Sequence, residues 1–237
     1  MDGWELVGLP RSATDGDQLA PASKLEGKSN EMYATSRSFR VKPGAMPQAI
    51  NLTNYVIGLL NGNHGGMFGA GIQVGGDPSI IGISGGYETL ADYERMMGEM
   101  AADAEFQGAV QLAANLMTGE VEDNIWNVRM PLGDPGPFFN ITTTDVNLSR
   151  IGEAMTFAAE VASTISGITG ATVGLSTAVT GRRSRINWAG YNASMAEMEE
   201  QSAKLESDES YMDLFKRAEG LVVPNALSQT IWRGIAA

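Results

Sequence analysis

The sequence predicts an α+β protein in which two tandem βαββαβ units pack sheet to sheet as one intrachain barrel. Three observations carry that expectation. Short motifs recur in the same order about 105 residues apart. The stretches between them read as strands and helices in one order, twice. The strands carry apolar residues on what would be the bare face of each sheet, and such a face must find a partner.

The 237 residues are 43% hydrophobic and 19% charged, enough for a packed core. Acidic residues outnumber basic ones 28 to 16, giving a formal charge of -12. That balance argues against nucleic acid as a partner. Cysteine is absent, which excludes disulfides, thiolate metal ligands and cysteine nucleophiles. His64 is the single histidine, so no multi-histidine metal site can form within the chain. Neither a metal nor a cofactor is expected.

The repeat is built from four matches. Ile125-Trp126 recurs as Ile231-Trp232, and Leu90 to Glu94 as Met195 to Glu199. Asp103 to Phe106 recurs as Asp208 to Tyr211, and Gly86-Tyr87 as Gly190-Tyr191.

In the first unit, Glu31 to Val41 alternates as a strand and Pro47 to Leu60 is helical, with Pro47 in its first turn. Asn61 to Gly66 stops that helix. Phe68 to Val74 and Ile80 to Ser84 are strands about a Gly75-Gly76-Asp77-Pro78 turn. Thr89 caps a helix to Ala102, a second helix covers Glu105 to Met117, and Asn124 to Met130 is the last strand. The second unit gives strands at Phe138 to Val146, Ala171 to Val179, Arg185 to Ala189 and Leu227 to Ile235. Its helices are Leu148 to Ile165, Ser194 to Leu205 and Tyr211 to Glu219. The units span 30–131 and 138–237, joined by a linker at 132–137 and preceded by a polar arm at 1–29. Each should form a four-stranded antiparallel sheet with its helices on one face.

The bare face is expected to carry Phe68, Ile72, Phe139, Ile141, Val173, Leu175, Trp188 and Trp232. Two such faces closing on each other would enclose a pocket. The N-terminus has no secretory pattern, and Ala154 to Thr180 is interrupted by Ser, Thr and Gly, so no membrane span is expected and a cytoplasmic location is the default.

The strand-ending Gly86-Tyr87 and Gly190-Tyr191, the turns at Asp103 and Asp208, and the Ile-Trp of each final strand resemble the dimeric α+β barrel superfamily. That ferredoxin-like superfamily includes antibiotic-biosynthesis monooxygenases, NIPSNAP-like proteins and the EthD group. The resemblance covers roughly residues 30–237. It implies a barrel that holds flat apolar molecules and, in some members, oxidises them with oxygen and no cofactor. Haem-degrading members use an Asn on the first strand, a Trp on the third and a His on the next helix. Asn140 and Trp188 match the first two, but no His follows Trp188. Haem is therefore not expected.

Other chemistries fit less well. Gly82-Ile83-Ser84-Gly85-Gly86 matches a nucleophile elbow, yet no triad His follows Ser84. The glycines at 69–76 lie within a strand and lack the strand–glycine–helix order of a dinucleotide site.

The expectation is thus a small-molecule enzyme, leaning to a monooxygenase-like oxidoreductase, whose partner is an apolar or aromatic compound held in the barrel. His64 is the candidate base. Asn140 is the candidate donor to a developing oxyanion. Tyr87, Trp188, Tyr191 and Arg185 are the candidate substrate-binding residues. The alternative is a non-catalytic binding or assembly protein with the same fold. A homodimer is possible for either.

Overall fold

The computed structural model describes residues 32–235; the arm at 1–29 lies outside the described residues. The first unit runs β1 (Met32–Val41), α1 (Met46–Asn63), β2 (Met67–Gly75), β3 (Ile80–Tyr87), α2 (Leu90–Ala102), α3 (Ala104–Leu116) and β4 (Met117–Met130). The second runs β5 (Phe138–Asp145), α4 (Ile151–Thr169), β6 (Gly174–Ala178), β7 (Arg185–Asn192), α5 (Met195–Glu206), α6 (Glu209–Arg217) and β8 (Ser228–Gly234). β4 starts well before the predicted Asn124, because its first half pairs along β1 despite its polar, exposed sequence.

The helix starts repeat in atomic detail. Thr89 accepts from the Asp92 backbone N–H, and Ser194 likewise from Glu197. Asp103 accepts from the N–H groups of Glu105 and Phe106, and Asp208 from those of Ser210 and Tyr211. Each cap satisfies donors that the first helical turn leaves open.

The eight strands close into a barrel in the order β1-β3-β2-β8-β5-β7-β6-β4. The two four-stranded sheets join edge to edge through β2–β8 and β4–β6. Every neighbouring pair is antiparallel, so β1, β2, β5 and β6 run one way and the other four run back. The two units are therefore related by rotation about the barrel axis, and β1 and β5 start at the same end.

Among the described residues three hydrophobic clusters form the core, and all lie between sheet and helices. One gathers Trp188, Leu175 and Val173 under α4 with Phe157 and Ala158. A second holds Phe68 and Tyr87 with Ile57 and Leu60 of α1. The third holds Phe39, Val41 and Ile81, with Ile72 packed against it. This corrects the expected bare face: Phe68, Ile72, Val173, Leu175 and Trp188 point to the helices. Only Phe139, Ile141 and Trp232 of that set turn inward.

The caps carry a pH dependence. The Asp103 carboxyl is held below its ordinary range, first by the bond from the Phe106 N–H, and the Asp208 carboxyl first by the Ser210 hydroxyl. A carboxylate whose folded pKa is lowered adds stability above its unfolded pKa, about 4, and that stability is lost as pH falls through the folded value. The double variant Asp103→Asn/Asp208→Asn keeps capping oxygens but cannot titrate. Its urea midpoint should fall less between pH 5 and pH 2 than that of the wild type.

Candidate functional site

Side chains alternate across a strand, so register decides which ones enter the lumen. Ala34, Ser36 and Ser38 of β1 sit opposite Gly86, Ser84 and Gly82 of β3, which face Met67, Gly69 and Gly71 of β2. In the second unit, Phe139, Ile141 and Thr143 of β5 sit opposite Tyr191, Ala189 and Asn187 of β7. Glycine contacts fix the assignment. A Cβ on Gly82 would lie 2.9 Å from Cζ3 of Trp232, inside the barrel, whereas one on Gly85 would strike the Phe68 ring under the helices.

None of these inward residues belongs to the core clusters. Gly69 and Ser84 are exposed although they face inward, so solvent reaches into the lumen. A Cβ added at Gly69 or Gly86 would meet nothing within 4 Å. Across from this space stand Phe139 and Tyr191, with ring centroids 4.7 Å apart and planes tilted by 35°. Burial raises the Tyr191 phenol pKa, which keeps it a protonated donor at neutral pH. Trp126 turns inward and donates from Nε1 to Ser36 Oγ at 2.9 Å.

Registers also give the symmetry mates. Ala34 lies between Trp126 and Gly86, and Phe139 lies between Trp232 and Tyr191. Where the second unit carries two aromatic rings, the first carries a methyl group and a hydrogen. Among the described residues, no side chain therefore fills that side of the lumen opposite the Phe139 and Tyr191 rings.

The two ends differ. The end at which β1 and β5 start, here the mouth, is lined by Ala34, Met67, Gly69, Gly86, Phe139 and Tyr191, all uncharged. At the other end Arg40 pairs with Asp77 and, at 2.9 Å, with Glu120. Arg185 reaches Glu122 at 3.2 Å, linking β7 to β4, and Arg182 reaches Asp145 at 3.1 Å. Among the described residues no group of three or more potential metal-ligating side chains occurs, and no helix is long and apolar enough to cross a membrane.

The six candidate residues are not brought together. Tyr191 alone lines the mouth. Arg185 enters the lumen at the charged end, bonded to Glu122. Tyr87 is buried under α1 and α2, edge-on to Phe68 and Tyr93. Trp188 donates from Nε1 to the Ala158 carbonyl at 2.8 Å and packs beneath α4. Asn140 lies on the same helix-facing side of the sheet and accepts from Asn192 Nδ2 at 3.0 Å. His64, just past α1, places Nδ1 3.4 Å from Glu99 and Nε2 3.1 Å from Asp103, a clamp on the α2–α3 corner. Phe139 and Trp232 were expected on the bare face but not singled out as site residues, and Ala34 and Gly86 were not expected in the site. The signal that finds them is the comparison of equivalent positions in the two units.

No family model and no curated protein matches this chain. Solved structures do. Two proteins named "putative monooxygenase" align with it. The one from Fusobacterium nucleatum has 12% identity and a TM-score of 0.66, covering 86% of this chain and 93% of its own. That from Lactobacillus acidophilus has 9% identity and a TM-score of 0.62, covering 86% and 94%. A protein named anthrone oxidase-like has 13% identity and a TM-score of 0.62, covering 88% and 93%. Identities this low speak for the fold alone, and on that ground the chain shares the α+β fold of these structures, here an eight-stranded barrel closed by both units of one polypeptide.

Proposed function

We propose that the protein is a small-molecule enzyme of the cofactor-independent monooxygenase type that takes a flat aromatic compound into the mouth of its barrel. One observation carries the reading: open space over Gly86 and Gly69 faces the Phe139–Tyr191 rings. A planar ring there would occupy the place of the missing symmetry mates and gain aromatic contact. The hydroxyls of Ser36, Ser84 and Tyr191 suit a ring bearing hydroxyl or carbonyl substituents. The names of the similar structures, two monooxygenases and one protein likened to an oxidase of anthrone, a three-ring ketone, support the same class.

The chemistry fits a substrate acidic enough to lose its own proton, since among the described residues no carboxylate or imidazole lines the mouth. A ring CH2 conjugated to a carbonyl through the flanking rings, as in anthrone, enolises, hydroxyl donors hold the enolate oxygen, and O2 takes the electrons. One oxygen atom becomes the new carbonyl and the other leaves as water with both hydrogens. The second reading is a non-catalytic binding protein. It is favoured by the positions of His64 and Asn140, neither of which faces the lumen. Oxygen uptake with anthrone separates the two: enzyme-dependent consumption of O2 with formation of the quinone supports catalysis, and binding without uptake supports the second reading.

The double variant Ala34→Phe/Gly86→Tyr fills the vacancy with the second unit's own residues. Titration with 2-naphthol, followed by tryptophan fluorescence, should show binding weakened at least about 100-fold, while the melting temperature holds or rises. Undiminished binding would remove the lumen from consideration. Trp188→Ala should behave oppositely, costing about 3–5 kcal/mol in urea unfolding through the cavity under α4. Under native conditions the folded fraction should keep its 2-naphthol affinity.

A further inference from the structure

We propose that Trp232 is the floor of the mouth-side pocket and sets the length of the aromatic ligand; this rests on the lumen reading above. Four observations place it there. Trp232 turns inward on β8, next to Phe139 of the aromatic wall. Its indole crosses from β8 over β2 to β3. A Cβ on Gly71 would lie 3.6 Å from the Trp232 Cβ, and one on Gly82 would lie 2.9 Å from Cζ3 and 3.2 Å from Cη2. The indole Nε1 donates to Thr230 Oγ1 at 3.0 Å. Thr230 precedes Trp232 on a strand that runs toward the mouth, so this bond draws the ring away from the mouth and across the lumen.

Gly71, Gly82, Gly69 and Gly86 of the first unit therefore divide into two functional pairs. Gly71 and Gly82 seat the indole, because any side chain there would displace it. Nearer the mouth on the same strands, Gly69 one inward position from Gly71 and Gly86 two from Gly82, the other pair has no described residue within 4 Å of an added Cβ. The second unit does not repeat the first pair, since Ser176 faces Asn187 where Gly71 faces Gly82, and of the second pair it keeps only Gly174 in place of Gly69, with Tyr191 in place of Gly86. Trp126, the mate of Trp232, meets a wall with side chains of its own and hydrogen-bonds Ser36 instead. Behind the indole, the Arg40 and Arg185 ion pairs occupy the far end. A ligand entering from the mouth meets the indole as its stop.

The test uses the full chain and a ladder of linear hydroxyarenes: phenol, 2-naphthol, 2-hydroxyanthracene and 2-hydroxytetracene. Ligand fluorescence or competition reports affinity. The wild type should tighten with ring number and then lose at least about tenfold in affinity at one step, where the next ring meets the indole. Trp232→Ala should move that step to a longer member or abolish it. Trp232→Phe should lie between. Thr230→Val, which frees the indole N–H but leaves the pocket walls in place, should blunt the step without loss of fold.

Circular dichroism and melting temperature establish that each variant is folded. Thr230→Val decides the matter if Trp232→Ala does not fold. A ladder with the same step in folded Trp232→Ala, or failing that in Thr230→Val, overturns the floor while leaving the lumen as the binding site. No binding of any member to the wild type overturns both the floor and the lumen reading.

Discussion

The molecule depends on satisfying the open edges of two four-stranded sheets. A βαββαβ sheet ends in unpaired backbone N–H and C=O groups on both outer strands, a liability that closure removes completely. Here β2 bonds to β8 and β4 to β6, so every edge finds a partner within the chain. Closure has a second consequence. It divides each strand's side chains between helices and lumen, and only the helix side acquires a dense apolar core. The lumen is left half-buried, lined by Gly, Ala, Ser, Thr and Asn with a few large rings.

Much of the architecture was legible in sequence. Glycine and proline punctuation, alternation in the strands and cap residues before the helices located nearly every element to within a few residues. Thr89 read correctly as a cap, because capping is a local interaction between a side chain and the turn that follows it, whereas Asp103 and Asp208 read only as turn residues and Ser194 as the first residue of its helix. The facing of strands was not legible in the same way. Phe68, Val173 and Trp188 are as apolar as Phe139 and Trp232, and hydrophobicity alone does not say whether a ring packs against a helix or projects into a lumen.

The Gly-Tyr pair shows how small the error was. Gly86-Tyr87 and Gly190-Tyr191 match as letters, but the registers align Gly86 with Tyr191 and Tyr87 with Asn192. The letter match slips by one residue, and a one-residue slip in a strand reverses every facing. Tyr87 is consequently a core residue and Tyr191 a lumen residue. Asn140 and Trp188 share a facing with each other, as their resemblance suggested, but on the helix side, where Trp188 is already bonded to α4. His64 was singled out for its chemistry, and its place beside Glu99 and Asp103 depends on a tertiary contact between α1 and the α2–α3 corner that no local pattern encodes.

Fusion of the two units explains why the lumen can be lopsided. In a homodimer with a twofold along the barrel, each inward residue is repeated by its partner copy, so a gap on one side is a gap on both and a ring is always doubled. A single chain escapes that constraint. Phe139 and Tyr191 oppose space vacated at Ala34 and Gly86, and Arg185 bonds Glu122 in one direction only, since its mate on β3 is Ile80. Volume differs across the axis at the mouth, and charge differs across it at the far end. A lumen with rings on one side, small residues on the other and charges at one end is unsymmetrical, and the proposed reaction at one ring position requires such a site to fix a single orientation of its substrate.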